Sequence, residues 1–344
     1  MPSGEPLTLP ERAFPQHAER IVGGTLHIGA SAPPGEFQPS MAYLFTEWRC
    51  DLDCHACWAY QNPVRCMTED TARRSIDWLH DTGCRAVALM GGEVLLRPQF
   101  AHKVVYYAAK RGFSVQVTTH GRRLQREVID QLGDASVAAV ELSVSSDADC
   151  QKLSQALRQN QPALAYLLEQ QHLYGFAVLF GINISRVNRR DVEQLAQIAH
   201  HASVATRYHL HESSGLAPGS FQPLDDLIDW LIEKNQTGYQ MINSVRQLEE
   251  MKAFLNGTLQ ESICRAGQNS LVIRPDGTLW PCLPMYSASS DWGVAGEPRF
   301  APGRLTEMKR CCQPHCLSTI HAAACRFQRL PMANAEGLGS NGAH

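Results

Sequence analysis

The stretch that decides the fold is MAYLFTEWRCDLDCHACW, residues 41–58. Its first half, MAYLFTE, is a short apolar and aromatic run of strand type, and Cys50, Cys54 and Cys57 follow directly. A strand that runs into a cysteine loop puts that loop at its C-terminal end, where ligands sit in parallel α/β architectures. Thiolates at this spacing wrap three corners of a cuboidal iron–sulfur cluster and leave the fourth iron without a protein ligand. An open metal position is where a substrate or cofactor coordinates. A structural zinc site is the alternative. It requires a fourth ligand nearby, and His55, between two of the cysteines, lacks the surroundings of a paired zinc knuckle.

Outward from this stretch, strand and helix patterns alternate. TEDTARRSIDWLHDTG (68–83) opens on a Thr68 cap and stops at Gly83, and AVALMGG (86–92) is a buried strand ending in glycines. RPQFAHKVVYYAAKRG, LQREVIDQLGD, the stretch 148–174, RRDVEQLAQIAHHA and LDDLIDWLIEKNQ read as helices. FSVQVTT, VAAVELSVS, FAVLFGINIS and TRYHLHES read as the strands between them. Six β–α units in succession imply a parallel sheet with helices outside it, curled by right-handed crossovers into a partial (β/α)6 TIM-like barrel. The expected layout is an extended lead-in over 1–40, the barrel over 41–240, a small C-terminal metal domain over 241–330 and a disordered tail over 331–344.

Composition is that of a globular chain: 44% hydrophobic, 19% charged, net charge −3 over 344 residues. Such a balance creates no field that draws the chain to nucleic acid or anionic lipid. No apolar run approaches the roughly 20 residues that span a bilayer. The first residues lack the apolar centre of a secretory signal, so the expected location is cytoplasmic. In that reducing compartment twelve cysteines point to metal ligation rather than to disulfides. Four lie near the front (Cys50, Cys54, Cys57, Cys66) and six near the back (Cys264, Cys282, Cys311, Cys312, Cys316, Cys325). Cys84 and Cys150 stand alone and, with Cys66, read as small buried hydrophobes.

The front pattern, with Trp58 after the third cysteine, resembles the signature of the radical S-adenosylmethionine (SAM) superfamily. The resemblance implies a [4Fe–4S] cluster on Cys50, Cys54 and Cys57 whose unique iron chelates the amino and carboxylate groups of SAM. It further implies reductive cleavage to a 5′-deoxyadenosyl radical that takes a hydrogen atom from the substrate, and a reducing partner such as flavodoxin or ferredoxin. Gly91-Gly92-Glu93 matches the family's GGE motif, which binds the SAM amino group. TTHG (118–121) is similar to the family's TNG, with His120 in place of Asn. ELSVSSD (141–147) resembles its SLDG segment, which makes Ser143 a SAM contact, although Ser145 and Ser146 replace the Asp and Gly. INISRVN (182–188) resembles the segment near the ribose, with Asn183 as the contact. Ordinary strand-end hydrogen bonding is the alternative for Ser143 and Asn183. The resemblance covers roughly residues 40–215.

In CRAGQNSLVIRPDGTLWPC (264–282), PDG joins two alternating runs as a hairpin turn and brings Cys264 and Cys282 to one end of it. This half is similar to the CX9–15GX4C part of the SPASM extension of the same superfamily, or of its shortened form, Twitch. The CX2CX5CX3C run of full SPASM is missing, so the resemblance implies one auxiliary [4Fe–4S] cluster rather than two. Its expected ligands are Cys264, Cys282, Cys312 and Cys316, with Cys325 as the exchange and Cys311 as a bystander. Four-thiolate zinc is the alternative.

Toward the substrate, alternation puts His209 and His211 on one face of the sixth strand. The expected face is the outer one, against the helices, where both rings are merely hydrogen-bonded. PCLPMYSASSDWG, with Tyr286, Asp291 and Trp292, is expected over the barrel mouth. Only some forty residues precede the first strand, whereas peptide-modifying SPASM enzymes often begin with a longer recognition domain. The reading is therefore a radical SAM oxidoreductase of a small molecule. The alternatives are a maturase of a ribosomal peptide or protein, and a non-catalytic iron–sulfur or zinc-binding protein.

Overall fold

Hydrophobic period switches between strand and helix type along the chain, and the secondary structure follows it. The computed structural model describes residues 37, 39–52, 65–144, 153–184, 189–210, 222–258, 266–282 and 292–299. The strands are β1 (Met41–Glu47), β2 (Ala86–Gly91), β3 (Ser114–Thr119), β4 (Ala139–Val144), β5 (Ala177–Ile184) and β6 (Ala205–Leu210). The helices that follow them are α1 (Glu69–Asp81), α2 (Pro98–Lys110), α3 (Arg126–Asp134), α4 (Leu153–Tyr174), α5 (Arg189–His201) and α6 (Gln222–Gln236). After these come α7 (Val245–Leu255), β7 (Ser270–Ile273), β8 (Leu279–Trp280), β9 (Gly293–Val294) and β10 (Glu297–Pro298). The expected Thr68 cap is present: its hydroxyl accepts the Thr71 N–H at 3.1 Å.

The main sheet has the order β6-β5-β4-β3-β2-β1-β7-β8, and β1 to β6 pair in parallel. This is the parallel partial barrel that the six β–α units imply. Alternation along each strand splits it into two faces. The outer residues (Leu44, Val87, Val117, Leu142, Phe180, Tyr208) merge with helix residues such as Ile76, Val105, Ile129 and Leu195 into one buried cluster. Burial of this kind contributes about 25 cal/mol per Å² of apolar surface and is what keeps the helices on the sheet. The inner face of β1 and β2 carries its own small apolar group, Met41, Ala86 and Ala88 with Tyr43 against them.

The C-terminal hairpin is built into this sheet. β7 pairs in parallel with β1, Met41 opposite Ser270 and Leu44 opposite Ile273, and β8 returns antiparallel. Helix α7, opened by a Ser244–Gln247 capping box, buries Leu248, Met251 and Leu255 in the barrel's cluster. Among the described residues, then, 241–282 continue the barrel's sheet and core, and no break falls at the expected 240/241 boundary. Trp292 is also a core residue, 5% exposed and part of the same cluster, so it does not cover the mouth as expected. Its large ring is used for packing. Tyr286 and Asp291 lie outside the described residues. No described helix is long and apolar enough to cross a membrane.

The far edge of the sheet is covered by residues 240–243: the Thr206 N–H donates to the Gln240 carbonyl, the Ile242 N–H donates to the Thr206 carbonyl, and a side chain takes the next position on β6. Asn243 is 6% exposed; its Oδ1 accepts the Tyr208 N–H at 2.7 Å and its Nδ2 donates to the Tyr208 carbonyl at 3.1 Å. A carboxamide placed this way continues that mimicry of a neighbouring strand and satisfies the N–H and carbonyl of Tyr208. Asn243→Ala should leave two buried backbone groups unpaired, at about 2–3 kcal/mol. The expected result in thermal unfolding is a Tm lower by about 3–4 °C for a chain of this size.

Candidate functional site

The loop that carries Cys50 is anchored where the ends of β1 and β2 meet. The register shifts between Phe45 and Glu47, so β1 is irregular as it leaves the sheet. The Gly92 N–H donates to the Glu47 carbonyl at 2.6 Å and the Glu93 N–H to the Arg49 carbonyl at 2.8 Å. A Cβ on Gly91 would lie 2.0 Å from the Glu47 carbonyl oxygen, and one on Gly92 would lie 2.3 Å from that of Arg49. Only glycines let two backbones come this close. The far end of the loop is tied to the same place, because the Met67 N–H donates to the Thr46 carbonyl at 3.1 Å.

Glu47 holds the base of the loop. Its buried carboxylate accepts from the backbone N–H groups of Trp48 and Arg49, from the Arg49 guanidinium at 2.8 Å and from the Cys66 thiol at 3.2 Å. Burial pushes this carboxyl up, but the hydrogen bonds of Arg49 and Cys66 and the Arg49 charge outweigh it and leave the pKa at about 2. Cys66 is therefore a half-buried hydrogen-bond donor to this carboxylate rather than the buried hydrophobe expected. Cys84 is fully buried and its thiol is pushed up to about 11 by desolvation, which also fits the structural reading. Cys150 lies outside the described residues.

Cys50 itself is half-exposed, and its Sγ accepts the Leu52 N–H at 3.4 Å. An amide N–H aimed at a partly exposed sulfur suits a thiolate ligand, and this donor fits an iron–sulfur cluster. Beside it, the Asp51 carboxylate is held by His120 Nε2 at 2.8 Å and by Arg123 Nε at 2.8 Å. Cys50, Asp51 and His120 form a group with metal-ligand spacing. Glu93 points its carboxylate into the protein, where it accepts from the Leu95 N–H at 2.8 Å, the Thr119 hydroxyl at 2.6 Å and the His120 N–H at 3.1 Å. Cys54 and Cys57 lie outside the described residues.

Inside the barrel the polar side chains gather on β3 to β6. Ser143 is exposed at the end of β4, Asn183 is half-buried on β5, and Asn183 pairs with His209 of β6. His209 shares its face with Arg207, whose Nη1 reaches Glu141 Oε2 over β5 at 2.5 Å. This corrects the outward placement: Tyr208 and Leu210 take the helix-facing positions, so strand alternation turns His209 inward. Burial and then the Arg207 charge push its pKa down to about 3. His211 lies outside the described residues. The Gln116–Glu141–Arg207 group was not singled out from sequence. The available signal was a charge at an alternate position of two otherwise apolar strands. Gly181 leaves room for it, since a Cβ there would lie 2.8 Å from Glu141 Oε1.

Of the back cysteines, Cys282 is described and half-buried. It follows β8 by two residues, and continuing the β7–β8 register sets it level with Ser270, opposite the start of β1. Cys264, Cys312, Cys316 and Cys325 lie outside the described residues.

A parallel partial barrel with a thiolate-bearing loop fastened at the mouth of its first two strands defines a class of cluster-dependent α/β enzymes. Residues 49–205 match the sequence model of the radical SAM superfamily. It is 22% identical over 267 residues to the antilisterial bacteriocin subtilosin biosynthesis protein AlbA of Bacillus subtilis (strain 168), covering 74% of this chain and 58% of AlbA. Among solved structures, Streptococcus suis SuiB bound to S-adenosylmethionine aligns with a TM-score of 0.60 at 14% identity, covering 77% of this chain and 64% of SuiB. SuiB has also been solved bound to the precursor peptide SuiA. Native anSMEcpe with bound AdoMet and the Cp18Cys peptide aligns with a TM-score of 0.57 at 14% identity, covering 81% of this chain and 88% of that one. The chain thus spans about three-fifths of the length of AlbA and SuiB. The superfamily's cofactors are a [4Fe–4S] cluster and SAM.

Two measurements test these contacts. Gly92→Ala should drive the loop off the strand end and leave about half or less of the wild-type front-cluster iron, with far-UV circular dichroism unchanged. His209 is held neutral in the fold, so its contribution is complete above the ordinary histidine range and fades as pH falls from about 6.5 toward about 3. Between about pH 7.5 and 5.5 the wild type should lose about 1 kcal/mol of stability that His209→Gln retains, read by denaturant unfolding.

Proposed function

We propose that the chain is a radical SAM maturase that oxidises a peptide or protein substrate, with one auxiliary [4Fe–4S] cluster. The observation that carries the enzymatic part is the fastening of the Cys50 loop, at both its ends, to the mouth of a lumen whose opposite wall is polar. Cys50, Cys54 and Cys57 would hold the SAM-binding cluster. Gly91 to Glu93 would meet SAM through backbone groups, because the Glu93 carboxylate is already taken by Leu95, Thr119 and His120. Ser143 and Asn183 would face the cofactor from β4 and β5. When bound, cluster and SAM supply the radical chemistry of hydrogen-atom abstraction. The chain's own part is to fix the loop, keep water out with the apolar wall of β1 and β2, and present His209, Arg207 and Glu141 to what enters from above.

A peptide substrate is supported by what the similar proteins are: AlbA takes part in bacteriocin biosynthesis, SuiB binds a precursor peptide, and anSMEcpe was captured with a peptide. The short lead-in that favoured a small molecule carries no weight, because the chain spans only part of AlbA and SuiB. For the auxiliary cluster the proposed ligands remain Cys264, Cys282, Cys312 and Cys316, with Cys325 as the exchange. Flavodoxin or ferredoxin is the proposed reductant, in a reducing cytoplasm.

Anaerobically prepared protein should hold about eight irons per chain, and Cys264→Ala with Cys282→Ala about half of that. With SAM and dithionite it should release 5′-deoxyadenosine, and Cys50→Ala should not. A peptide encoded beside the gene should change mass on incubation. Turnover of a small molecule, with every such peptide unchanged, would restore the small-molecule reading.

A further inference from the structure

His120 stands where the superfamily motif has asparagine, and its ring lies between three segments that the chain holds far apart. The Arg122 N–H donates to His120 Nδ1 at 3.2 Å, so Nδ1 is the acceptor and Nε2 carries the proton. That Nε2–H lies 2.8 Å from Asp51 Oδ1 and 3.2 Å from Glu93 Oε2, within a side chain only 10% exposed. The His120 backbone N–H donates to the same Glu93 oxygen at 3.1 Å. One residue after β3 thus touches the loop that leaves β1, next to Cys50, and the strand end of β2. Arg123 adds a second tie from the same turn to Asp51 Oδ2.

We propose that His120 is a positioning residue: its imidazole tethers the cluster loop through Asp51 and locks the Glu93 carboxylate inward, so that loop and strand end face SAM as one unit. The inference rests on the radical SAM reading of the site. Length is what suits histidine to the task. The carboxamide of asparagine stops short of the position that Nε2 occupies, whereas that of glutamine extends to about the same depth. Hydrogen bonds to carboxylates are also among the stronger ones, so losing this pair should be felt at the cofactor.

The test uses the anaerobically reconstituted full chain, with SAM as the probe and the electron paramagnetic resonance spectrum of the reduced cluster as the readout. Wild-type protein should show a spectral change that titrates with SAM. His120→Asn and His120→Ala should need about tenfold more SAM for the same change, the loss of one charge-assisted hydrogen bond. They should also show a larger share of three-iron cluster, because SAM, which caps the unique iron, binds less tightly. His120→Gln should stay within about threefold of wild type. Asp51→Asn, which alters the tether from the other side and leaves residue 120 intact, should reproduce the weakened titration. The tether is refuted if His120→Asn matches wild type, or if His120→Gln is as impaired as His120→Ala, which would mean that the ring merely fills space. A wild-type chain that holds iron but shows no response to SAM would instead refute the functional reading on which the tether rests.

Discussion

Everything functional in this protein depends on the close approach of two backbone segments, Glu47–Arg49 and Gly91–Glu93. Two N–H groups of the second donate to two carbonyls of the first, and side chains at 91 and 92 would occupy the space of those carbonyls. Both described ends of the segment that carries Cys50 meet this approach. Here one end is fixed by the glycine contact and the other by the Met67–Thr46 hydrogen bond. The glycine pair therefore seats the segment that carries Cys50 against the end of β2.

Buried charge is used sparingly and always in a network. Glu47 is compensated by Arg49, the Cys66 thiol and backbone donors, and Glu141 by Arg207 and Gln116. An uncompensated carboxylate in such places would cost several kcal/mol, whereas these are satisfied on most sides. The lumen consequently has two characters. Met41, Tyr43, Ala86 and Ala88 make an apolar wall on β1 and β2, and β3 to β6 supply a polar one with a charged pair across its middle. This asymmetry suits a reaction that needs a dry environment on one side and orientation of a polar substrate on the other.

The C-terminal hairpin changes how the two cysteine regions relate. It extends the sheet beside β1, so the strand that delivers Cys50 at its end has the Cys282 segment beside its beginning. Both segments are held by one ladder of backbone hydrogen bonds, and the helix before the hairpin shares the barrel's core. A disturbance of either cysteine region thus has a short physical route to the other, through β1.

Much was determined by the sequence alone. The alternation of strand and helix periods, the cysteine spacing after MAYLFTE, the paired glycines and the PDG turn are local signals, set by side-chain polarity and backbone freedom within a few residues. They were enough for the parallel partial barrel, the front cluster loop and the hairpin. Three other features were decided in the tertiary structure. Alternation says that His209 and Arg207 share a face, but which face is inward depends on where the helices land, and Tyr208 and Leu210 claimed the outer one. The Glu141–Arg207 pair joins residues 66 positions apart and becomes possible through Gly181 on the strand between them. The hairpin's place beside β1 depends on an open sheet edge, which no short stretch of sequence encodes. Likewise the His120–Asp51 contact spans 69 residues and exists because the β1, β2 and β3 ends are neighbours in the sheet. Local chemistry chose the elements, and the packing of the sheet chose which side chains meet.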